Sequence, residues 1–338
     1  MASDMANRFA SKFWETATTN QQVTVPLAAL GGLWAGYQLY QLASSVHLHF
    51  LHRSSLGRYR SQSTDGKPAS WALITGSSDG IGKGFAEELC SQGFNVILHG
   101  RNEQKLNGVK AELERQWPKS QIKTIVFDSA KDITNHEKLE AMVRSIADLN
   151  ITVLINNVGG GPRPAFLTLA EFNNEGARTW IDTNVSFTVE ITRLLIPVLV
   201  KRSPALMVNV GSYAGTEGFP YLSVYSGTKA FGESWTKAIN LEMKAEGHKV
   251  EVFHLLVGAV QSGSEAHRKL TLFVPSSRRF AADSLHKVGS GRSVVTPYVG
   301  HAMQVALFNA FPQIIREKLF LNVVKDEVKA EREMFKKQ

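Results

Sequence analysis

The sequence predicts an α/β protein, a doubly wound parallel sheet with a transmembrane helix before it and a helical tail after it. Three observations predict this. From Ser70 onward, short unbroken apolar runs alternate with helical patterns. A glycine-rich turn, Thr75 to Gly82, joins the first run to the first helix. Upstream, Thr16 to His52 contains no Asp, Glu, Lys or Arg. The organisation expected is a tail at 1–22, a membrane anchor at 23–52, a linker at 53–69, the sheet domain at 70–296 and a helical, membrane-contacting tail at 297–338.

Composition sets the outer limits. The 338 residues are 43% hydrophobic and 20% charged, enough apolar material for a sizeable core. Cys90 is the single cysteine, so no intrachain disulfide can form, which fits a reducing compartment. Its apolar-patterned neighbours, Phe85, Ala86 and Leu89, mark it as a buried thiol. The net charge of +8 is spread along the chain without a nucleic-acid motif, so no nucleic-acid partner is expected. Nor is a metal.

Within the uncharged stretch, Val25 to Leu51 would span about 40 Å as a helix at roughly 1.5 Å per residue, against a bilayer core of roughly 30 Å. Pro26 suits a first helical turn. Gln38, Gln41, His47 and His49 leave an in-plane helix open, and a cleaved leader or a core helix are further alternatives. Gly32 and Gly36 form a GxxxG pair. Arg8 and Lys12 before the segment are matched by Asp4 and Glu15, whereas Arg53, Arg58, Arg60 and Lys67 after it face only Asp65. The Lys/Arg asymmetry places the C-terminal side in the cytosol. Ser54 to Pro68 reads as a polar linker.

Strands are expected near Trp71–Thr75, Asn95–His99, Thr124–Phe127, Val153–Ile155, Leu206–Val210 and Val250–Leu256, with one more at Val294–Thr296. Helices are expected at Glu103–Trp117, Glu137–Ala147, Arg178–Val200 and Tyr225–Glu246. Such alternation makes a parallel sheet covered on both faces.

Several segments carry chemistry. In Thr75-Gly76-Ser77-Ser78-Asp79-Gly80-Ile81-Gly82 the glycines allow a tight turn, and the following helix presents N–H groups to a diphosphate. Gly76, Ser77, Ser78, Gly80, Ile81 and Gly82 are the cofactor candidates here. After the second strand comes Arg101 in place of a ribose-binding carboxylate, which suits a 2′-phosphate and hence NADP(H); Asn102 and Lys105 are helpers. Tyr225 and Lys229 stand at i and i+4, so on a helix both reach one site, and a lysine charge near the phenol would lower its pKa towards neutral. Ser212, thirteen residues earlier at a strand end, can hydrogen-bond a substrate oxygen.

The TGxxxGIG loop, Asn156-Asn157-Val158-Gly159 and the Ser212, Tyr225, Lys229 set resemble the short-chain dehydrogenase/reductase family, whose fold is of the Rossmann type. The resemblance spans about Ser70 to Val260. It implies that Asn184 completes a catalytic set of Asn184, Ser212, Tyr225 and Lys229, that Asp128 contacts adenine, and that Asn157, Tyr225, Lys229 and Val260 border the cofactor, with Ser262 able to reach the carboxamide. The chain departs from the family at three places: Asp79 where many NADP members are basic, Gly211 before Ser212 where two serines are usual, and Val257-Gly258 where proline-glycine is usual. Losing the proline would loosen the backbone beside the nicotinamide.

The membrane segment, HGRN, NNVG and Thr296-Pro297-Tyr298 resemble in particular the microsomal very-long-chain 3-oxoacyl-CoA reductases, kin to membrane 17β-hydroxysteroid dehydrogenases. That likeness implies an endoplasmic reticulum membrane and a lipid-like ketone or acyl-CoA substrate. Asn150 and Asn184 begin N-x-Ser/Thr sequons, and glycosylation of Asn184 would block the site, which favours a cytosolic domain. Gln261 to Arg279 is expected to cap the cleft, with Leu270, Leu272 and Phe273 for an apolar chain; Arg268, Lys269, Arg278 and Arg279 either meet phosphates or form a solvated face. Ser293 to Ile315, again without charged residues, is expected to form a strand and a membrane-contacting helix. Lys336-Lys337-Gln338 resembles a dilysine signal offset by one residue. A 17β-hydroxysteroid or other small-ketone dehydrogenase, a non-catalytic NADPH-binding scaffold and a homo-oligomer stay open.

Overall fold

The structure, a computed structural model, describes residues 5, 7–8, 11–12, 14–15, 21–61, 68–266 and 268–336. Most of the N-terminal tail, Lys67 and Asp65 of the linker, and Lys337 and Gln338 lie outside the described residues. The chain divides into two units, Met1–His52 and Arg53–Gln338.

In the first unit, α1 (Gln21–Val46) runs on into a π-turn at His47–Leu51. It starts before Val25, so Pro26 falls beyond the first turn. Val25, Leu27, Leu30, Leu33, Trp34 and Leu39 are exposed along it. Gln41 donates to the Tyr37 hydroxyl at 2.6 Å, one turn back, giving the amide a partner on its own helix.

The second unit is built on seven parallel strands in the order β3-β2-β1-β4-β5-β6-β7. They are β1 (Trp71–Ile74), β2 (Asn95–Gly100), β3 (Ile122–Val126), β4 (Ile151–Asn156), β5 (Ala205–Val210), β6 (Val250–Leu255) and β7 (Val294–Val295). Every residue of β1, β2 and β4 is buried, because helices cover both faces. The covering helices are α2 (Gly80–Ser91), α3 (Glu103–Gln116), α4 (His136–Arg144), α5 (Asn174–Ile181), α6 (Phe187–Lys201), α7 (Ser223–Ala245) and α8 (Ser277–His286), followed by α9 (Val299–Asn309) and α10 (Gln313–Lys336). Asp79, Asn102, Asn135, Asn173 and Ser276 cap α2, α3, α4, α5 and α8 with their side chains, satisfying first-turn N–H groups. Among the described residues, only Asn174–Lys201 (α5, a π-turn and α6) is long and apolar enough by hydropathy to cross a membrane. It is a core element here: Phe187, Ile191, Leu195 and Leu199 pack under the sheet.

Where the strands are nearly all apolar, three polar side chains stand abreast. Asn156, Asn209 and His254 are register partners across β4, β5 and β6. Asn156 donates to Asn209 (2.8 Å) and Thr192 (2.9 Å), Asn209 donates to Thr236 (2.8 Å), and the Thr236 hydroxyl lies 3.3 Å from His254 Nδ1.

The segment after the anchor departs from the polar-linker expectation. Ser54–Ser61 packs on the sheet domain, with Leu56 and Tyr59 buried. Ser54 donates to the Leu285 carbonyl at 2.7 Å, Thr152 donates to the Tyr59 carbonyl at 2.6 Å, and the Tyr59 hydroxyl donates to Glu251, which also pairs with Arg58. The apolar anchors, Leu56 and Tyr59, sit among polar neighbours, so the sequence pattern alone reads as a linker.

Candidate active site

The glycine loop leaves β1 with Gly76 at φ +65° and Gly80 at φ +58°, left-handed conformations that favour glycine. Asn157, at the end of β4, holds this turn: its amide donates to the carbonyls of Thr75 (2.9 Å) and Gly76 (3.0 Å). In return the Thr75 hydroxyl accepts from the N–H groups of Asn157 and Val158. A Cβ at Gly82 would lie 2.6 Å from the Asn157 amide nitrogen, so that glycine is required by packing. Gly80 opens α2, and Ser78 and Ile81 are half-buried beside it. This turn, with a helix N-terminus beyond it, fits a diphosphate.

Three cofactor candidates are otherwise engaged. Ser77 is fully buried, and its hydroxyl donates to the His99 carbonyl (3.3 Å) and accepts from the His99 N–H (3.0 Å). It fastens β1 to β2. The Asp128 carboxylate accepts from Ala130 and Lys131 N–H groups, so its side chain caps a turn. Asn102 caps α3 through Lys105 N–H. Arg101 is exposed just after β2 and makes no hydrogen bond or ion pair with the described residues, leaving its guanidinium available.

A cavity of about 670 Å³ opens at the carboxyl ends of β4, β5 and β6, where a doubly wound sheet binds its ligands. Ser212, Tyr225, Lys229 and Val260 all line it. Tyr225 and Lys229 lie one turn apart on α7. Ser212 follows β5 in extended conformation, accepts from Ala214 N–H at 3.2 Å, and hydrogen-bonds the Tyr225 side chain. Trp180 packs edge-on against Tyr225, with ring centres 5.3 Å apart.

Asn184 sits in the π-turn Asp182–Ser186 between α5 and α6. π-turns of this kind often mark functional sites. Its amide donates to the carbonyls of Gly160 and Trp180, both at 2.8 Å, and its oxygen accepts from Gly160 N–H at 3.2 Å. A Cβ built on Gly159 would be 3.0 Å from Lys229 Nζ and 3.1 Å from Asn184 Oδ1, so both side chains converge on that glycine. The four sequence-predicted residues are thus brought together.

The electrostatics differ from expectation. Burial raises the Tyr225 pKa above its ordinary value, opposed by the bond to Ser212. Burial pushes Lys229 down to about 8. Lys229 donates to the Val210 carbonyl at 3.1 Å, and its Nζ stands 5.7 Å from the centre of the Tyr225 ring. Tyr225 is held in its protonated form.

Two departures from the family pattern have structural causes. A Cβ at Gly211 would lie 2.5 and 2.8 Å from Cε1 and Cδ2 of His254, and closer still to Nε2. The imidazole takes the space of the usual serine. Beside Val257, the missing proline is offset by His301 from α9: Gly258 N–H donates to its Nδ1 (3.2 Å), so Nε2 carries the proton and donates to the Ala259 carbonyl (2.9 Å). This buried ring fixes the backbone that proline would otherwise stiffen. Neither histidine stands in a local motif that could have revealed it.

The expected cap does not form the apolar wall. Leu270, Leu272 and Phe273 are exposed and outside the cavity lining. Arg278 stacks on Trp117 (5.4 Å) near Glu88 (3.9 Å), and Arg279 pairs with Asp283 at 2.9 Å. Lys269 is exposed. Arg268 does reach the cavity but is paired with Glu265 and Glu327. The apolar wall comes instead from α9 and α10, through Val305, Phe308, Phe320 and Val324.

The model of the short chain dehydrogenase family matches residues 70–271. A very-long-chain 3-oxoacyl-CoA reductase of Neurospora crassa is 34% identical over 81% of this chain and 82% of its own. One of Coprinopsis cinerea is 36% identical over 83% of this chain and 82% of its own. Among solved structures, a 7beta-hydroxysteroid dehydrogenase superimposes with a TM-score of 0.65 at 20% identity, covering 76% of this chain and 97% of that one. A short-chain dehydrogenase from Sphingobium yanoikuyae in complex with NADPH gives 0.59 at 22% identity, covering 73% and 97%. At these identities the structures establish the fold. The chain belongs to the short-chain dehydrogenase family, nicotinamide-dependent oxidoreductases that act on C=O and CH–OH groups.

Proposed function

We propose that this chain is an NADPH-dependent reductase of long-chain 3-oxoacyl-CoA, working in fatty-acid elongation at the endoplasmic reticulum membrane with its catalytic domain in the cytosol. The observation that carries the reading is a cavity with Ser212 and Tyr225 at one side and an apolar wall from α9 and α10 at the other. The names of its curated relatives point to the same substrate.

When bound, the nicotinamide supplies the hydride that reduces the ketone carbon. The protein's own part follows from the geometry. The Ser212 hydroxyl orients the ketone oxygen and stabilises charge growing on it. Tyr225, kept protonated by burial, donates its phenolic proton to that oxygen, which is general acid catalysis in the reductive direction. Lys229, pushed down to about 8 by burial and still largely protonated at neutral pH, returns a proton to the phenolate. Asn184 holds the Gly159–Gly160 backbone and closes the far side of the lysine. Arg101 favours the 2′-phosphate, and hence NADPH over NADH. The uncharged helix α1 supports membrane attachment, as do Met303, Leu307 and Ile314, exposed on and after α9.

One observation favours a second reading, an uncharged lipid ketone such as a steroid. The arginine at the cavity is paired with Glu265 and Glu327, and the other cation of the described lining, Lys229, belongs to the catalytic set, so neither is free for CoA phosphates. Purified enzyme in detergent, given NADPH and either long-chain 3-oxoacyl-CoA or a 17-ketosteroid, separates the two through loss of nicotinamide absorbance. Turnover of the thioester supports the proposal. Steroid turnover without thioester turnover replaces it, and no turnover of any ketone would favour the non-catalytic reading.

A further inference from the structure

The cleft's wall is made by a part of the chain beyond the family match, which ends at residue 271. On α9, His301, Gln304, Val305 and Phe308 share one face and line the cavity; on α10, Phe320, Val324 and Glu327 do the same. Phe320 packs at 4.6 Å from Phe219 and 4.8 Å from Phe308, closing an aromatic cluster over the loop that follows Ser212.

One turn beyond Glu327, α10 buries a carboxylate. Glu331 is 3% exposed. It accepts from the N–H groups of Ala165 (2.9 Å) and Phe166 (2.8 Å) and pairs with Arg163 at 2.6 Å. Burial pushes its pKa up, and the donors together outweigh that and hold it below its ordinary value. A buried carboxylate with two backbone donors and a guanidinium is a strong and directional tie. The loop it grips is part of the site at both ends. Phe166 lines the cavity, and Gly160 is bonded twice to Asn184.

Resting on the reductase reading above, we propose that Glu331 is a positioning residue that locks α10 to the Gly160–Phe166 loop, and that the wall so fixed is what selects for long acyl chains. The ion pairs of Arg316 with Glu217 (2.5 Å) and of Arg332 with Glu171 (3.1 Å) join α10 to further loops, but both of these carboxylates are less buried than Glu331. Long chains gain affinity by packing on the wall, at about fourfold per buried methylene, the equivalent of about 0.8 kcal/mol. Short chains bury fewer methylenes there and gain less.

The test is steady-state kinetics of the full-length enzyme in detergent with NADPH and 3-oxoacyl thioesters of increasing length. Wild type should gain in kcat/KM with length until the cleft is filled. In Glu331→Ala the gain should flatten: KM for the longest substrate rises at least tenfold, while the shortest substrate and the NADPH dissociation constant shift less than threefold. Glu331→Asp should recover part of the length dependence. Equal losses for short and long substrates, or weakened NADPH binding, would mean a merely structural carboxylate and overturn the proposal. If Glu331→Ala does not fold, Phe320→Trp reads the same wall by narrowing it, and should move the preferred length down by several carbons. An unmoved preference rejects the wall. If wild type reduces no thioester but does reduce other ketones, the substrate reading has failed, and the same variants are measured against a series of alkyl ketones, where loss of length dependence still supports the lock and its persistence rejects it.

Discussion

Gly211 occupies a place that admits no side chain while His254 keeps its position. Replacing it with alanine puts a methyl 2.5 and 2.8 Å from two ring carbons and closer to Nε2. The ring is 2% exposed, its Nδ1 is 3.3 Å from the Thr236 hydroxyl, and strands lie on either side of β6. It has nowhere to withdraw, so the strain falls at the upper end of what overpacking costs, about 3 kcal/mol. For a domain of this size that lowers the melting temperature by roughly 6–12 °C. His254→Ala alone opens a cavity and should cost about 2 kcal/mol. Together the two changes exchange volume across one contact, so the double variant should be at least ~1 kcal/mol more stable than the sum of the single losses. Thermal unfolding followed by circular dichroism, on all four proteins with NADPH absent, gives the cycle. A Gly211→Ala protein melting within about 2 °C of wild type, or strictly additive losses, would show that the ring does not set the glycine.

Other outcomes follow from the same structure. Tyr225→Phe should bind NADPH normally by fluorescence yet lose at least ~100-fold in turnover, because the ring stays and the proton donor goes; near-normal turnover would mean another acid. Arg101→Ala should weaken NADPH binding tenfold or more with little change for NADH, since charge-assisted bonds are worth roughly 1.5–3 kcal/mol; equal losses for both cofactors would remove Arg101 from the phosphate site. His99 and His254 are buried neutral, pushed down to about 4 and about 3 by desolvation, against an unfolded value near 6.5. Below 6.5 the unfolded chain binds protons that the folded chain refuses, so stability falls as pH drops from 6.5 towards 4, by about 2 kcal/mol per histidine at pH 5; a flat melting temperature between pH 7.5 and 5 would contradict this. Full-length protein in membranes should resist alkaline carbonate, and removal of residues 1–52 should weaken its attachment greatly; extraction of the full chain by carbonate would exclude a spanning α1.

What the sequence made legible was local. Strands of four to six apolar residues, the glycine loop and the Tyr225–Lys229 spacing are each decided within one or two turns of chain, and strand–helix alternation then dictates the sheet. Ser212 and Asn184 could be placed because the family spacing carries them. The features that the sequence leaves hidden depend on distant partners. Tyr59 gives no sign of Glu251, nor Gly211 of His254, nor Glu331 of the Ala165 N–H. The basic residues after β6 stay open in the sequence for the same reason: a charge run shows its sign but not its partners, and Arg268, Arg278 and Arg279 all have carboxylates nearby in the fold. At Tyr225 the i to i+4 spacing shows the neighbouring lysine but not the burial that raises the phenol's pKa.

The polar row across the middle of the sheet bears on how the strands find their alignment. β4, β5 and β6 read ITVLIN, ALMVNV and VEVFHL. With both faces covered, a slide of two residues along such strands would keep almost every apolar side chain buried, so hydrophobicity discriminates weakly between alignments. Asn156, Asn209 and His254 discriminate strongly. Only one offset lets the two amides meet each other and lets Thr192 and Thr236 complete the row. Any other leaves buried amides unpaired at about 1–3 kcal/mol each. The row therefore acts as a vernier for strand assembly, and because Asn157 and Ser212 follow directly on two of those strands, an error in that vernier would also carry the phosphate loop's support and the catalytic serine out of line.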